Sequence, residues 1–222
     1  MRHWPLWLNG ANPFCNNINV LSALELECER GGRALFRGLS FTAAPGALVR
    51  VAGPNGSGKT SLLRILCGLL TPTAGEVRWR GTPIRRLAEE YSRQLLYIGH
   101  AAAVKDDLTP HENLDIACRL AGIAAHPEAL AWALSAFAVP ELPVRKLSQG
   151  QRRRAALARL LMSEGVPLWL LDEPFAALDA KAVSYTEELI ARHAAAGGAV
   201  VYTTHQQGAI DASARVVDLT VH

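Results

Sequence analysis

One segment has residue types and spacing suited to phosphate binding: GPNGSGKT, directly after the apolar run Leu48 to Ala52. Glycines allow successive backbone N–H groups to converge on phosphate oxygens, and the start of a following helix adds the positive end of its dipole. Lys59 would neutralise phosphate charge, and the Thr60 hydroxyl would ligate Mg²⁺. Because the segment lies between a predicted strand and a predicted helix, a phosphate site is favoured over an accidental glycine-rich turn. The predicted phosphate-binding residues are Gly53, Pro54, Asn55, Gly56, Ser57, Gly58, Lys59, Thr60 and Ser61.

A pair of carboxylates comes at the end of another apolar run. Asp172 and Glu173 directly follow Leu168 to Leu171, which is the pattern of a Walker B segment. Asp172 would hold the Mg²⁺ ion, while Glu173 could orient and polarise a water molecule that attacks the terminal phosphate. The alternative is a solvated Asp-Glu pair that opens a turn before Pro174. The phosphate-binding segment earlier in the chain favours the catalytic interpretation.

A third polar feature is the segment LSQGQ, which continues into three consecutive arginines, Arg152 to Arg154. Ser148 is placed as the N-cap of a long helix, and a capped helix start can bind an anion. As structure alone, the segment would be a good cap followed by a solvated basic face. The order of the motifs favours a functional role, because Asp179 and His205 follow and each predicted strand end then supplies one polar group.

These polar residues come together only if the elements before them share a sheet. From Ala23 onward, short apolar runs alternate with helical stretches without a repeat or a linker, which indicates one α/β domain. Leu108 to Leu147 is rich in Ala and Leu and is broken by prolines, which predicts a helical subdomain set into the sheet. In an open parallel sheet, ligands meet the carboxyl ends of the strands. The predicted elements are an antiparallel edge of Leu24 to Cys28 and Leu39 to Thr42, buried strands at Leu48 to Ala52, Leu168 to Leu171 and Ala199 to Thr203, and a helix at Thr60 to Leu70.

Length and composition narrow the class of protein. The chain has 222 residues, of which 50% are hydrophobic, so that one domain can bury a core without disulfides or metal. Its net charge of +3 is too small and too dispersed to favour nucleic acid as a partner. The four cysteines show no CxxC spacing, and a reducing cytoplasm suits them. Because the apolar stretches are interrupted before about 20 residues, the chain is not expected to cross a membrane by itself.

Residues 1–21 differ from the rest of the chain. They contain Trp4, Trp7 and Phe14 among Asn, Gly and Pro, but they lack the continuous apolar core and the small-residue cleavage site of a signal peptide. We interpret residues 1–21 as a flexible N-terminal extension and residues 22–222 as the functional domain.

Taken in order, the phosphate segment, LSQGQ, LLDEP, AALD and His205 resemble the nucleotide-binding domain of ABC ATPases. The resemblance implies a P-loop NTPase core with an antiparallel β edge and an inserted α-helical subdomain, so that residues 22–222 would be an ATP-binding domain. It also implies ATP as substrate and Mg²⁺ as cofactor. It further implies a head-to-tail homodimer, in which each ATP is held between the phosphate loop of one subunit and the signature segment, here LSQGQ, of the other. Asp179 would belong to the D-loop, and His205 would contact the γ-phosphate. The signature residues that would act across the interface are Ser148, Gln149, Gly150 and Gln151.

Three positions depart from the usual pattern of that family. Gln149 replaces a glycine of the signature. His100 stands where most members have the Q-loop glutamine, which senses Mg²⁺ and couples to the membrane partner, and a neutral imidazole can still donate or accept a hydrogen bond. Arg30 stands where an aromatic residue usually stacks on adenine, and its guanidinium could stack instead.

Three segments narrow the resemblance further. LLYIGH, VKDDLTPHENL and LECERGGRALFRGLSF are similar to segments of ATP-binding subunits of bacterial cytochrome c maturation systems. This resemblance implies a peripheral protein on the cytoplasmic face of the inner membrane, with an integral membrane permease subunit of that system as partner. Its ATP cycle would serve the delivery of haem or the release of a haem-loaded chaperone, and the chain itself has no haem ligand motif such as CxxCH.

Three other functions stay open at this level. The chain could be the ATPase subunit of a different small-substrate ABC exporter. A soluble ABC ATPase of translation or DNA repair would typically carry tandem domains, coiled-coil insertions or basic arms, and the sequence has none of these patterns. A nucleotide-binding regulator without turnover would be suggested if Glu173, Ser148 or His205 were missing, whereas all three are present.

Overall fold

The computed structural model describes residues 20–205 and 208–219. Of the predicted N-terminal extension, residues 1–19 lie outside the described residues. The first strand begins at Leu21, the last residue of that predicted extension. None of the described helices is both long and apolar enough to span a membrane.

Nine strands occur within the described residues, and they form two sheets. In chain order the strands are β1 (Leu21–Arg30), β2 (Arg33–Ala43), β3 (Leu48–Ala52), β4 (Ala74–Trp79), β5 (Thr82–Pro83), β6 (Leu95–Ile98), β7 (Leu168–Asp172), β8 (Ala199–Thr203) and β9 (Arg215–Asp218). The antiparallel sheet has the order β2-β1-β4-β5, and the parallel sheet has the order β6-β7-β8-β3-β9. All five predicted strands are confirmed, and β4, β5, β6 and β9 are additional.

The antiparallel edge is built on a tight hairpin. Arg30 at the end of β1 pairs with Arg33 at the start of β2, so the turn consists of Gly31 and Gly32 alone. Both glycines have positive φ, which a two-residue turn matching the twist of its strands requires. Because a side chain disfavours that conformation, the glycine pair explains why the chain reverses here.

The parallel sheet is covered on both faces, which explains its continuous apolar runs. In β7, Leu168 and Leu170 face the antiparallel sheet and the helix that follows the phosphate segment. Trp169 and Leu171, the alternate residues, face the helical subdomain. The parallel sheet therefore lies between two hydrophobic cores, and its central strands β7 and β8 are buried along their whole length.

Seven α-helices occur in the described part of the chain. They are α1 (Lys59–Leu66), α2 (Ile84–Ser92), α3 (Pro110–Leu120), α4 (Pro127–Ala136), α5 (Gln149–Leu157), α6 (Arg159–Met162) and α7 (Ala180–Ala195). The predicted helix after the phosphate segment is confirmed as α1, but its predicted end at Leu70 is wrong. Gly68 has a left-handed φ of 79°, and this conformation ends the helix at Leu66.

The predicted helical subdomain is confirmed in α3 and α4. Thr109 and Glu112 form a capping box at the start of α3, and Pro127 occupies the first position of α4, where its missing N–H costs nothing. The long helix predicted after Ser148 is present as α5 and α6, which are interrupted at Ala158. These helices pack on the face of the sheet that carries Trp169.

The register of the parallel sheet brings the predicted polar residues together. Val51 of β3 pairs with Thr203 of β8, and Thr203 pairs with Asp172 of β7. Leu171 of β7 pairs with Ile98 of β6. The carboxyl ends of four neighbouring strands therefore lie in one row, and the segments that leave them form the candidate site.

Candidate active site

The phosphate segment forms a tight loop between β3 and α1. Gly53 and Gly58 have φ values of 143° and 100°, which L side chains rarely adopt. A Cβ atom at Gly53 would also lie 2.6 Å from Oγ of Ser57, and one at Gly58 would lie 3.0 Å from Cβ of Leu35. Gly58 caps α1 without a side-chain hydrogen bond, so the first N–H groups of α1 are available to an anion.

Lys59 is held over the loop by backbone carbonyls. Its side chain is buried, and Nζ donates to the carbonyl oxygens of Gly53 at 2.8 Å and Pro54 at 3.0 Å. An ammonium group has three donors, so one N–H of Lys59 can still reach a phosphate oxygen. Because both partners are neutral carbonyls, they do not offset the attraction of this side chain for an anionic ligand.

Asp172 lies at the centre of the row of strand ends. Its carboxylate is 1% exposed and accepts hydrogen bonds from Oγ1 of Thr60 at 2.9 Å and from Oγ1 of Thr203 at 2.8 Å. The Thr60 hydroxyl and the Asp172 carboxylate thus place oxygen donors beside the phosphate loop, which fits the preference of Mg²⁺ for oxygen ligands. No cluster of three or more His, Cys, Asp or Glu side chains suited to a metal occurs among the residues that the structure describes.

Glu173 has an unusual backbone conformation. Its φ is 53°, in the left-handed region where a residue with a Cβ is strained by about 1–3 kcal/mol. Two hydrogen bonds hold this peptide: the N–H of Glu173 donates to Oγ1 of Thr203 at 2.8 Å, and its carbonyl accepts from Arg153 at 2.8 Å. Such strain persists only where the surroundings over-determine it, which is typical of active sites.

The side chains of Glu173 and His205 lie next to each other. Oε1 of Glu173 is 3.2 Å from Nε2 of His205, and the two side chains are 14% and 51% exposed. The structure therefore brings together the two residues that the sequence predicted as catalytic, although Oε1 of Glu173 is buried without a hydrogen-bond partner.

The predicted N-cap at Ser148 is confirmed, and it forms a capping box. The N–H of Gln151 donates to Oγ of Ser148 at 3.2 Å, and the N–H of Ser148 donates to Oε1 of Gln151 at 2.9 Å. A Cβ atom at Gly150 would lie 2.6 Å from the carbonyl oxygen of Ala177, so that this position tolerates only glycine without a shift. Ser148 and Gln149 are exposed at the start of α5.

Asp179 has a structural role that the sequence analysis did not assign. Its Oδ1 accepts from the N–H of Ala182 at 2.8 Å and caps α7, while its Oδ2 lies 3.6 Å from Arg154. The ion pair with Arg154 thereby joins the segment of Asp179 to α5, the helix that starts in the signature segment LSQGQ.

His100 and Arg30, the two departures from the family pattern, are both exposed. His100 follows β6 at the row of strand ends, and Arg30 ends β1 at the tip of the hairpin. Because Leu35 of β2 lies against Gly58, the hairpin is adjacent to the phosphate loop.

Sequence reasoning missed two residues of the site. Thr203 was assigned only to a strand, although a threonine at the end of an apolar run is a signal that its hydroxyl has a partner. Arg153 was given no individual role, and only the structure-only alternative placed it on a solvated basic face. The structure contradicts that alternative for this residue, because Arg153 is 4% exposed and donates to four backbone carbonyls. Burial lowers the pKa of Arg153, and the nearby carboxylates of Asp172 and Glu173 oppose this effect. Nothing in the sequence distinguishes Arg153 from the arginines on either side.

A phosphate loop before α1, paired carboxylates at the end of β7, a helical subdomain and a capped helix that follows it together define an ABC ATPase domain. The family described as ABC transporter matches residues 36–176, more than half of the chain. The chain therefore belongs to the ABC transporter family.

Curated relatives place the chain more narrowly within that family. It is 52% identical over 204 residues to the cytochrome c biogenesis ATP-binding export protein CcmA of Aromatoleum aromaticum, with 90% of this chain and 95% of that relative covered. The protein of the same name from Nitrosomonas europaea is 51% identical, with 86% and 90% covered. That of Salmonella typhi is 49% identical, with 89% and 96% covered. These relatives confirm the resemblance that three short segments of the sequence indicated.

Solved structures agree with the fold. An ATP-binding subunit of an ABC transporter superposes with a TM-score of 0.79 and 24% identity, covering 90% of this chain and 85% of that chain. A dimeric bacterial ABC transporter cassette superposes with a TM-score of 0.76 and 22% identity, covering 90% and 94%. The predicted fold class is thereby confirmed.

Proposed function

We propose that this chain is the ATP-hydrolysing, energy-coupling subunit of an ABC membrane complex in c-type cytochrome biogenesis. The observation that carries the proposal is the 52% identity, over 90% of the chain, to a protein named for ATP binding and export in that process. The geometry of Glu173 and His205 supports turnover, because a regulator without hydrolysis would not need a water-polarising carboxylate beside the phosphate loop.

Nucleotide binding follows from the loop at Gly53 to Ser61. Its backbone N–H groups and the start of α1 would cradle the phosphates of ATP, and the remaining N–H of Lys59 would neutralise β- and γ-phosphate charge. Thr60 and Asp172 would hold Mg²⁺, which when bound offsets the negative charge that develops on the phosphate oxygens. Arg30 would stack on the base from the hairpin tip.

Hydrolysis would begin with a water molecule oriented by Glu173. The carboxylate accepts a proton from this water as the water oxygen attacks the γ-phosphorus in line with the bond to ADP. His205, whose ring is half exposed, would donate a hydrogen bond to the γ-phosphate. His100 would respond to the occupancy of the site and transmit it to the membrane partner.

The working unit would be a head-to-tail homodimer. Ser148, Gln149, Gly150 and Gln151 would complete the ATP site of the partner subunit, since the exposed start of α5 offers N–H groups and a helix dipole to the γ-phosphate. Asp179 would lie at the same interface. The resemblance of the fold to a dimeric cassette supports this arrangement.

The partner would be an integral membrane permease subunit of the cytochrome c maturation system, with the ATPase bound peripherally at the cytoplasmic face of the bacterial inner membrane. Closure of the dimer on two ATP molecules would drive the delivery of haem or the release of a haem-loaded chaperone. Residues 22–222 would form the ATP-binding domain together with Leu21, which begins β1, and the residues before it would be an extension. Nucleic acid would have no part in the cycle.

The test is a haem-stained gel of membrane c-type cytochromes from cells that lack this protein. We expect staining to be lost in the deletion, restored by the wild-type chain and by the matched control Glu141→Gln, and not restored by Glu173→Gln. Glu141 is an exposed carboxylate outside the site. Persistent staining in the deletion would contradict the role in cytochrome biogenesis, and would point to another exporter or to a soluble ABC ATPase. Restoration by Glu173→Gln would contradict the need for hydrolysis.

A further inference from the structure

Arg153 lies where three parts of the molecule meet. It belongs to α5, five residues after the cap Ser148, and its side chain points inward and is 4% exposed. It reaches the segments that follow β6 and β7. One side chain thus connects the signature helix, the segment of His100 and the segment of Glu173.

The guanidinium group bonds to backbone rather than to side chains. One terminal nitrogen donates to the carbonyls of Gly99 at 2.7 Å and His100 at 3.4 Å. The other donates to the carbonyls of Asp172 at 2.7 Å and Glu173 at 2.8 Å. The four carbonyls satisfy the two terminal nitrogens, while Nε is buried without a hydrogen-bond partner. The planar fork of a guanidinium can span two strand ends in a way that a lysine cannot.

These bonds fix the peptide of Glu173 from one side. The N–H of Glu173 donates to Thr203, and the carbonyl of Glu173 accepts from Arg153. The left-handed φ of Glu173, 53°, is therefore held by a hydrogen bond on each side of the residue. The backbone conformation determines where the carboxylate of Glu173 points. Without Arg153, the segment after β7 could relax toward an ordinary φ, and Oε1 would move away from His205.

We propose that Arg153 is a positioning residue, which orients Glu173 for the activation of water and makes that orientation depend on the placement of α5 and of the His100 segment. The inference rests on the proposed ATPase function. The hydrogen bonds of Arg153 go to backbone carbonyls, so that it would act on the reaction through Glu173. Movement of the signature helix, or of the segment after β6, would therefore change the rate of hydrolysis through the direction of one carboxylate.

The test compares Arg153→Lys and Arg153→Gln with the matched control Arg159→Lys in the purified full chain. Arg159 is also a largely buried arginine that bonds to a β6 carbonyl, at Tyr97, but it makes no bond to Asp172 or Glu173.

We expect kcat to fall about 10²-fold in Arg153→Lys, and further in Arg153→Gln, since small misplacements of a catalytic group have effects of this size. KM for ATP should stay within about threefold, because the loop that binds phosphate is untouched. Arg159→Lys should change kcat less than about threefold.

A double variant separates positioning from general damage. If Arg153 acts through Glu173, adding Arg153→Lys to Glu173→Gln should cause almost no further loss in single-turnover hydrolysis of radiolabelled ATP. Losses that multiply would overturn the inference, as would an Arg153→Lys protein with wild-type kcat. If thermal unfolding shows that neither Arg153 variant folds, the side chain is needed for folding, and this result would also overturn the inference of a positioning role. A wild-type chain that neither binds nor hydrolyses ATP would instead remove the proposed function, and this inference with it.

Discussion

The phosphate loop and the carboxyl end of β7 are held by bonds of very different sequence separation. In the loop, Lys59 donates to carbonyls that are six and five residues away, those of Gly53 and Pro54. At the end of β7, Asp172 accepts from Thr60, which is 112 residues away, and from Thr203, which is 31 residues away. Gly53 to Lys59 form a local structure built by its own motif, whereas the end of β7 is assembled from distant segments, among which is Thr60 at the end of that motif.

This difference predicts different responses to mutation. A change in the loop removes contacts to the nucleotide but few contacts that hold the sheets together, so the affinity for ATP should fall more than stability. A change at the end of β7 disturbs buried hydrogen bonds between strands, so hydrolysis and stability should fall together. Four experiments examine this contrast, from the largest expected effect to the smallest.

Glu173→Gln should lower kcat by about 10³-fold, because the amide cannot accept the proton of the attacking water. ATP binding should be retained, since Glu173 makes no bond to the phosphate loop. Single-turnover hydrolysis and equilibrium binding of ATP measure the two effects separately. Retained hydrolysis would remove Glu173 from its proposed role.

Lys59→Met should weaken ATP binding by about 10- to 100-fold, because a charge-assisted hydrogen bond to phosphate is lost. The thermal unfolding midpoint of the ligand-free protein should change little, since the lost bonds are local to the loop. Lys105→Met, at an exposed lysine outside the site, is the control. A large drop in stability for Lys59→Met would contradict the view of the loop as a self-contained structure.

His193, which packs against β7, makes the free energy of unfolding depend on pH. Its ring stacks on Trp169 of β7 at 3.8 Å, and burial, aided by the charge of Arg192, lowers its pKa from 6.5 to about 3. The unfolded chain takes up a proton below about pH 6.5, but the folded protein does so only near pH 3, so the free energy of unfolding falls as the pH decreases through this window. We expect a loss of about 2 kcal/mol between pH 6.5 and about pH 5 from this group.

His193→Gln is the matched variant for that measurement, because its side chain stays neutral at every pH. Urea unfolding at several pH values should show a shallower acid dependence in His193→Gln than in the wild type. Equal slopes in the two proteins would show that His193 is not the group responsible.

Thr203→Val should lower kcat about tenfold and stability by about 1–3 kcal/mol, because Asp172 and the N–H of Glu173 both lose a buried partner. Thr186→Val is the control, since Thr186 is equally buried but bonds only to a carbonyl of its own helix. Urea unfolding and steady-state hydrolysis measure the two effects. A change in stability without any change in kcat would separate Thr203 from the site.

The sequence was most informative where chemistry and local structure coincide. Gly53 to Thr60, the pair Asp172 and Glu173, and the cap at Ser148 were all predicted from short patterns. The predicted end of α1 at Leu70 was wrong, although Gly68 is a local signal for a helix end that could have been used. Strand β6, which positions His100, was not predicted because its apolar run is only four residues long and follows a helix directly.

The burial and the contacts of Arg153 could not be predicted from the sequence. Arg152, Arg153 and Arg154 are chemically identical neighbours, yet only Arg153 is buried against the ends of β6 and β7. Their different environments follow from the rotation of α5 against the parallel sheet, and this rotation results from the packing of many apolar side chains far apart in the chain.

The sequence by itself determined the class of the protein, the phosphate loop and the identities of the groups available for chemistry, because these depend on residue type and on neighbours within a few positions. Only the tertiary structure decided that Thr203 and Arg153 clamp Glu173, and that Glu173 faces His205 at 3.2 Å. The physical reason is that strand register and helix packing, not local spacing, bring residues 20 to 112 positions apart within hydrogen-bonding distance.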